Sequence, residues 1–327
     1  MFEEERMLDV GVVLPTRLGP TALSHEELIG IAELVDRVPG WHDVWVTDSI
    51  ISLPFYDSVV LLAACAARTK RVRLGVACQA SLGLRHPLIV AQQWANLDQL
   101  SRGRMTMIAC PGEATGPTRE KELAAFNMTH REKVSRMEEG INFLREVSRG
   151  DAVTFVGTSF AIDDFELAPP FIQQPLPIWM TGNPPMDATA ERVRRVLARV
   201  ARLGDGWLTF AVTPHELARR TRLLDELRSS DDRDDDFPVG VFLNVNVNVN
   251  ADSAMEDALT TWRGQSTRNV SSDDLRKVAA IGSPEQVADF IGRLRDAGAT
   301  TIAIELLSSN RVQQVHAISE LLLPLLL

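Results

Sequence analysis

Eight short β-rich runs alternate with amphipathic helical patterns along these 327 residues, and no other property narrows the fold as far. The strand runs are Leu8–Leu14, Val44–Thr47, Val72–Cys78, Arg104–Cys110, Ile178–Thr181, Trp207–Ala211, Val239–Val249 and Thr301–Leu306. Between them the apolar residues return with helical spacing. After the cap candidate Ser24, for example, Leu28, Ile31, Ala32, Leu34 and Val35 share one face. Pro87 opens a helix that continues to Leu100; another runs His130–Ser148, and others span Met186–Ala201 and Pro214–Ser229. Ser283-Pro284-Glu285 starts one more, which Gly298 stops. Eight parallel βα units in one chain close most naturally into a (β/α)8 TIM barrel, expected here as a single domain over residues 1–327. A doubly wound open sheet is disfavoured. Leu14-Pro15-Thr16-Arg17-Leu18-Gly19 follows the first strand and lacks the glycine spacing that cradles a pyrophosphate.

The alternation pauses twice, so insertions are expected after strands 4 and 7. Val153–Ile162 reads as a hairpin with Gly157 at its turn, inside an insertion over Asp151–Gln174. The second insertion is a polar segment, Ala251–Asp274. A lid or substrate specificity would reside in these stretches. Asn244-Val245-Asn246-Val247-Asn248-Val249-Asn250 alternates with period two, putting valines on one face and asparagines on the other. Two readings stay open: a polar layer pointing into the barrel, or a strand end that overshoots it and leaves the amides wet.

Composition excludes several classes. With 45% hydrophobic residues the chain can build a large core, and a net charge of −10 argues against nucleic acid as a partner. The acidic run Asp231–Asp236 reads as a solvated loop. No stretch of about 18 apolar residues is present to span a membrane, and Leu321–Leu327 reads as a helix end packed on the core. Nothing resembling a leader follows Met1–Arg6. Cys65, Cys78 and Cys110 are odd in number and widely spaced, which indicates neither a disulfide framework nor a metal site. Cys78 and Cys110 could sit on neighbouring strand ends, yet buried thiols in a reduced, cytoplasmic protein are the expectation, ahead of a redox pair.

In a barrel the ligand-handling residues lie at the carboxyl ends of the strands. Those positions hold Thr16, Asp48-Ser49, Cys78-Gln79, Cys110 to Gly116, Thr181-Gly182-Asn183, Thr209-Phe210, Asn248 or Asn250, and Glu305. No histidine ends a strand, and no metal triad or nucleophile elbow appears. A polar mouth poor in acid–base groups fits a bound cofactor that carries the hard chemistry.

Six motifs in order then carry a resemblance over nearly the whole chain. They are Gly40-Trp41-His42-Asp43-Val44-Trp45-Val46-Thr47-Asp48, Thr69-Lys70-Arg71-Val72-Arg73-Leu74-Gly75 leading to Arg85-His86-Pro87, and Leu97-Asp98-Gln99-Leu100-Ser101-Arg102-Gly103-Arg104. Pro177-Ile178-Trp179-Met180-Thr181-Gly182, Gly204-Asp205-Gly206-Trp207 and Ile281-Gly282-Ser283-Pro284-Glu285-Gln286-Val287 complete the set. Together they resemble the luciferase-like family of flavin- and deazaflavin-dependent oxidoreductases.

That resemblance implies a (β/α)8 barrel binding coenzyme F420, or alternatively FMN, at its carboxyl-end mouth. It implies cofactor contacts from Asp48, Ser49, Cys78, Gln79, Cys110, Pro111, Gly112, Thr181, Gly182 and Asn183. Thr181-Gly182-Asn183, just ahead of a helix, would offer backbone N–H groups to a phosphate. Cys110-Pro111-Gly112-Glu113 resembles the acid-bearing turn of the deazaflavin branch, with Glu113 as the proton donor. The competing reading makes Glu113 an exposed acid or a partner of Arg119 or Arg131. The branch's non-prolyl cis peptide would fall at Cys78-Gln79. Asp48 reads more readily as an anchor for loop N–H groups or Arg85 than as a direct cofactor contact. Ser49 stands where the family's sugar-phosphate dehydrogenases carry a histidine, so that substrate class is not expected. Hydride transfer between F420 and a small organic substrate is the implied activity. A monooxygenase using reduced FMN and oxygen is the alternative, and a non-catalytic barrel the second. A homodimer through helices of the second and third units is also implied, supported by the apolar run Val59-Val60-Leu61-Leu62-Ala63-Ala64.

Overall fold

A computed structural model describes residues 8–112, 116–229, 236–265 and 270–326. Glu113 and residues 231–235 of the acidic run lie outside these. The strands are β1 (Asp9–Val13), β2 (Asp43–Val46), β3 (Arg73–Gln79), β4 (Met105–Ala109), β5 (Val153–Val156), β6 (Ala161–Phe165), β7 (Ile178–Thr181), β8 (Trp207–Phe210), β9 (Val239–Val247), β10 (Ala280–Gly282) and β11 (Thr301–Leu306). The main sheet runs β10-β9-β11-β1-β2-β3-β4-β7-β8, and β9 also pairs with β8. Eight strands therefore close into a parallel barrel with helices between them, and β10 flanks β9. The hairpin β5-β6 forms a separate antiparallel pair.

The contacts divide the chain into two compact units. One contains Met1–Pro15, Leu34–Val44 and Gly182–Leu327; the other contains Thr16–Glu33 and Trp45–Thr181. Within the first, β1 pairs with β11 from Asp9↔Thr301 to Val13↔Glu305, and β9 pairs with β11 and β8. Within the second, β3 pairs with β4 and β4 with β7. The β3–β4 ladder slips between Ala77 and Gln79, so Cys78 is a bulged residue without a register partner.

Local sequence explains most helix starts. Ser24 and Glu27 exchange bonds across the first turn of His25–Arg37, the reciprocal capping expected there. Ser283 and Gln286 do the same for Pro284–Asp296. Two expectations need correction. The helix expected over Met186–Ala201 is Ala190–Leu203, where Thr189 supplies the cap. Ala251–Asp274 is not a loose polar segment. It contains the helix Ala251–Gln265 and the start of Ser272–Val278. Ala254, Met255 and Ala258 of the first pack with Leu275, Ala279, Ile281 and Leu307.

The end of the asparagine run is wet, whereas Asn246 is buried against residues of flanking helices. Asn246 is 1% exposed and donates to the Leu307 carbonyl and to Asp257. Asn248 and Asn250 are exposed, and Asn250 Oδ1 accepts from Asp252 and Ser253 N–H groups at the following helix start.

The motif Leu97–Arg104 does structural work. Asp98, fully buried, accepts N–H bonds from Ile172 (2.6 Å) and Gln173 (2.9 Å), which fixes the approach to β7. Arg104 donates to the carbonyls of Ser101 (2.7 Å) and Thr69 (2.9 Å) at the amino ends of β3 and β4. That end of a barrel governs stability and not chemistry.

In the second unit, the Trp45 ring lies across β3 towards Trp179, with ring centroids 6.2 Å apart. Gly75 leaves the room: a Cβ there would collide with the Trp45 ring and the Thr106 carbonyl oxygen. Gly75→Ala is therefore expected to lower unfolding free energy by roughly 2–3 kcal/mol. Urea denaturation would measure the loss; an unchanged midpoint would contradict this packing.

Candidate active site

At the end of β2, Asp48 is 6% exposed and cannot remain charged there without donors. It receives the Ser58 hydroxyl (2.8 Å) and the Ser81 N–H (2.8 Å), and Arg85 lies 3.8 Å away. Arg85 also binds Ser81 Oγ and Asp57. The anchoring role is the one the structure displays, since Asp48 ties the β2 end to the loop after β3. Ser49 is occupied locally as well, its hydroxyl oxygen accepting the Leu53 N–H at 2.9 Å. Thr47 meets Thr16 hydroxyl to hydroxyl.

The ends of β3 and β4 correct two expectations. Cys78 and Cys110 are not separate thiols: they form a disulfide, with Cα atoms 5.8 Å apart. Strand adjacency and the bulge at Cys78 bring together two residues 32 positions apart, at the neighbouring strand ends where pairing was the less expected reading. Only Cys65 is a free thiol, and burial pushes its pKa up to about 12. The non-prolyl cis peptide is Ala77–Cys78, one bond earlier than expected. Gln79 is 1% exposed, and its Oε1 has no hydrogen-bond partner. A buried acceptor left open at a strand end is a place for a ligand donor.

Pro111 and Gly112 follow, half-buried. Gly112 has φ +70°, and a Cβ on it would sit 3.2 Å from Lys133 Nζ. That ammonium is buried against Glu122 at 3.2 Å, both side chains being 5% exposed. Glu122 Oε1 in turn accepts the N–H groups of Ile51 (3.1 Å) and Ser52 (3.2 Å) in the loop after β2. Burial, the largest influence, pushes the Glu122 carboxyl up. The Ile51 amide, the Lys133 charge and Ser52 together outweigh it and hold the pKa below its ordinary value. Sequence reading missed this pair, although a signal existed. Lys133 falls on the buried stripe Met137, Gly140, Ile141, Leu144 of the helix His130–Val147, where a lysine needs a partner.

Thr181 ends β7 in one unit; Gly182 and Asn183 belong to the other. Gly182 sits between β7 and β8. Its N–H points to the Leu208 carbonyl (3.4 Å), its own carbonyl accepts the Trp207 indole N–H (2.9 Å), and the next helix begins only at Ala190. Asn183 Oδ1 accepts the Thr209 hydroxyl at 2.8 Å. The Asn183 backbone N–H and side-chain nitrogen and the Thr181 hydroxyl are the other donor groups of this turn. The turn is held from below, because Arg220, 1% exposed, donates to the Pro184 carbonyl (2.8 Å) and to Glu216 (2.7 Å). Among the described residues no cluster of three or more His, Cys, Asp or Glu could hold a metal, and no helix is long and apolar enough to cross a membrane.

Glu216 gives this support a pH signature. Hydrogen bonds from Arg219, with those from Arg220 and both charges, outweigh burial and lower its pKa from 4.5 to about 2. A depressed carboxylate stabilises the fold fully above its unfolded pKa, and the contribution is lost as pH falls through the folded one. The stability difference between wild type and Glu216→Gln should be largest at neutral pH and shrink between about pH 4.5 and pH 2. Urea midpoints across that range would measure it; a constant difference would contradict the assignment.

The profile of the luciferase-like monooxygenase family matches residues 8–301. An F420-dependent glucose-6-phosphate dehydrogenase of Amycolatopsis mediterranei is 25% identical over 275 residues, covering 80% of this chain and 76% of the relative. An F420-dependent hydroxymycolic acid dehydrogenase of Mycobacterium tuberculosis is 27% identical over 60% of this chain and 57% of the relative. Among solved structures, a monooxygenase from Streptomyces bottropensis superposes with a TM-score of 0.79 at 22% identity, over 97% of this chain and 99% of its own. An F420-dependent secondary alcohol dehydrogenase superposes with a TM-score of 0.81 at 17% identity, over 98% and 99%. These two likenesses are of fold.

Proposed function

The chain belongs to the luciferase-like monooxygenase family, and we propose that it transfers a hydride between coenzyme F420 and a small organic substrate. The observation that carries this reading is the buried, unpartnered Gln79 Oε1 at the bulged end of β3. F420 and FMN both present a ring N–H that such an acceptor suits. Relatives named as F420-dependent dehydrogenases, one aligned with 80% of this chain, favour F420 over FMN. When bound, F420 supplies a two-electron hydride carrier, so the protein itself needs no reactive nucleophile.

The chain's own residues divide the remaining work. Gln79 orients the ring edge. Cys110, Pro111 and Gly112 present the backbone after β4 to the cofactor, with Gly112 turning at φ +70°. Thr181 and Asn183 offer donors towards the phosphate side. Asp48 and Ser49 position the loops around them. Glu113, next in sequence to Gly112, is the proton donor. Sugar-phosphate oxidation is not proposed, since Ser49 supplies a hydroxyl already engaged by Leu53 in place of a histidine base. We read residues 1–327 as one barrel domain, because strands of both units share a single sheet.

Fluorescence titrations of purified protein with F420 and with FMN test the reading. Saturable F420 binding at micromolar concentration, with FMN much weaker, is the expected result. FMN binding alone would replace it with the oxygen-using monooxygenase reading. Binding of neither would replace it with a non-catalytic barrel.

We also propose a homodimer. The helices Ser58–Arg68 and Pro87–Ser101 border a groove of about 320 Å³ lined by Val59, Ala63, Leu97 and Leu100. Val60 and Ile89 nearby are 62% and 54% exposed, an apolar face of the kind subunit interfaces cover. Sedimentation should give twice the chain mass, and Val60→Asp should shift it to monomer. A monomeric wild type at micromolar concentration would overturn the assignment.

A further inference from the structure

We propose that the Cys78–Cys110 disulfide is a redox-sensitive positioning brace for the cofactor pocket, an inference that rests on the F420 reading above. Cys78 is the bulged residue of β3, so the β3–β4 ladder gives it no register partner. The ladder stops at Gln79↔Ala109, and Cys110 is the first residue beyond it. The covalent bond therefore joins the two strand ends at the point where backbone pairing fails. Its flanks are the pocket's working parts: Gln79, with its open buried acceptor, follows Cys78, while Pro111 and Gly112 follow Cys110. Without the bond, the β3–β4 ladder would not hold Cys78. Gln79 would lose the fixed orientation that makes its oxygen a good acceptor.

The two cysteine residues are not equally exposed. Cys78 is half-buried, whereas Cys110 is 5% exposed. A dithiol reductant attacks through its thiolate at Cys78 Sγ, forming a mixed disulfide and expelling Cys110 Sγ as a thiolate that takes up a proton. The reductant's second thiol then displaces Cys78. Two electrons and two protons enter the protein, and the reductant leaves as a cyclic disulfide. Cys65 stays outside this exchange, since it is fully buried and its pKa of about 12 leaves almost no thiolate.

The experiment compares air-oxidised protein, the same protein reduced with dithiothreitol, and Cys110→Ser. Thiol titration in denaturant should find one thiol before reduction and three after. F420 affinity should fall at least tenfold on reduction and recover on reoxidation. Cys110→Ser should bind weakly whatever the redox state. Amide hydrogen exchange, read without cofactor, should quicken over residues 76–82 and 109–112 in the reduced protein and in the variant, while the β8–β9 ladder is unchanged. Three thiols in the oxidised sample, or equal F420 affinity in both redox states, would overturn the proposal. If F420 binds in neither state the F420 reading fails by itself. The brace is then decided by exchange alone, and unchanged protection over residues 76–82 overturns it.

Discussion

A buried carboxylate must find donors, and in the unit that carries β3 and β4 those donors are largely the amides and hydroxyls of strand-end loops. Asp48 collects Ser58 and Ser81; Glu122 collects Ile51, Ser52 and the Lys133 ammonium. Each bond offsets the cost of taking a charge out of water, and each also fixes a backbone segment that would otherwise move. The loop after β2 is thus pinned to the helix bearing Lys133, and the loop after β3 is pinned to β2. Lys133 Nζ in turn occupies the space beside Gly112 that a side chain there would need. The positions where a ligand would be handled inherit their geometry from these two acids. In the other unit Glu216 and Arg220 act similarly, with Arg220 holding the Pro184 carbonyl behind the Asn183 turn.

Against this polar scaffolding the β3 end is an exception. It combines a bulge, a disulfide and an unpartnered amide oxygen in consecutive or bonded residues. Elsewhere in the described chain, departures from regular backbone have visible structural uses, such as Arg102 closing its helix with φ 61°. At β3 the irregularity leaves an acceptor unused. Local rules broken without compensation inside the protein are what a ligand site produces.

Much of the fold was legible because it depends on periodicity. All eight barrel strands and the hairpin around Gly157 lie where alternation and turn residues placed them, and Ser24 and Ser283 open their helices as capping predicts. The segment after β9 was not legible: Ala251–Gln265 reads as polar, and its buried side is made of alanines and a methionine, which carry a weak apolar signal. Of the candidate positions, Asp48 behaved as its neighbours suggested. The helix after Gly182 begins only at Ala190, where Thr189 caps it.

Sequence alone therefore determined the barrel and its eight strands, since those follow from local patterns and from motifs in a fixed order. The tertiary structure decided which of those residues meet. Cys78 and Cys110 are 32 residues apart, Asp48 and Ser81 are 33, and Lys133 reaches Glu122 from a separate helix. Pairing at such distances is set by the register of β3 on β4 and by the need of buried charges for partners. Neither of these is written in the spacing of residues along the chain.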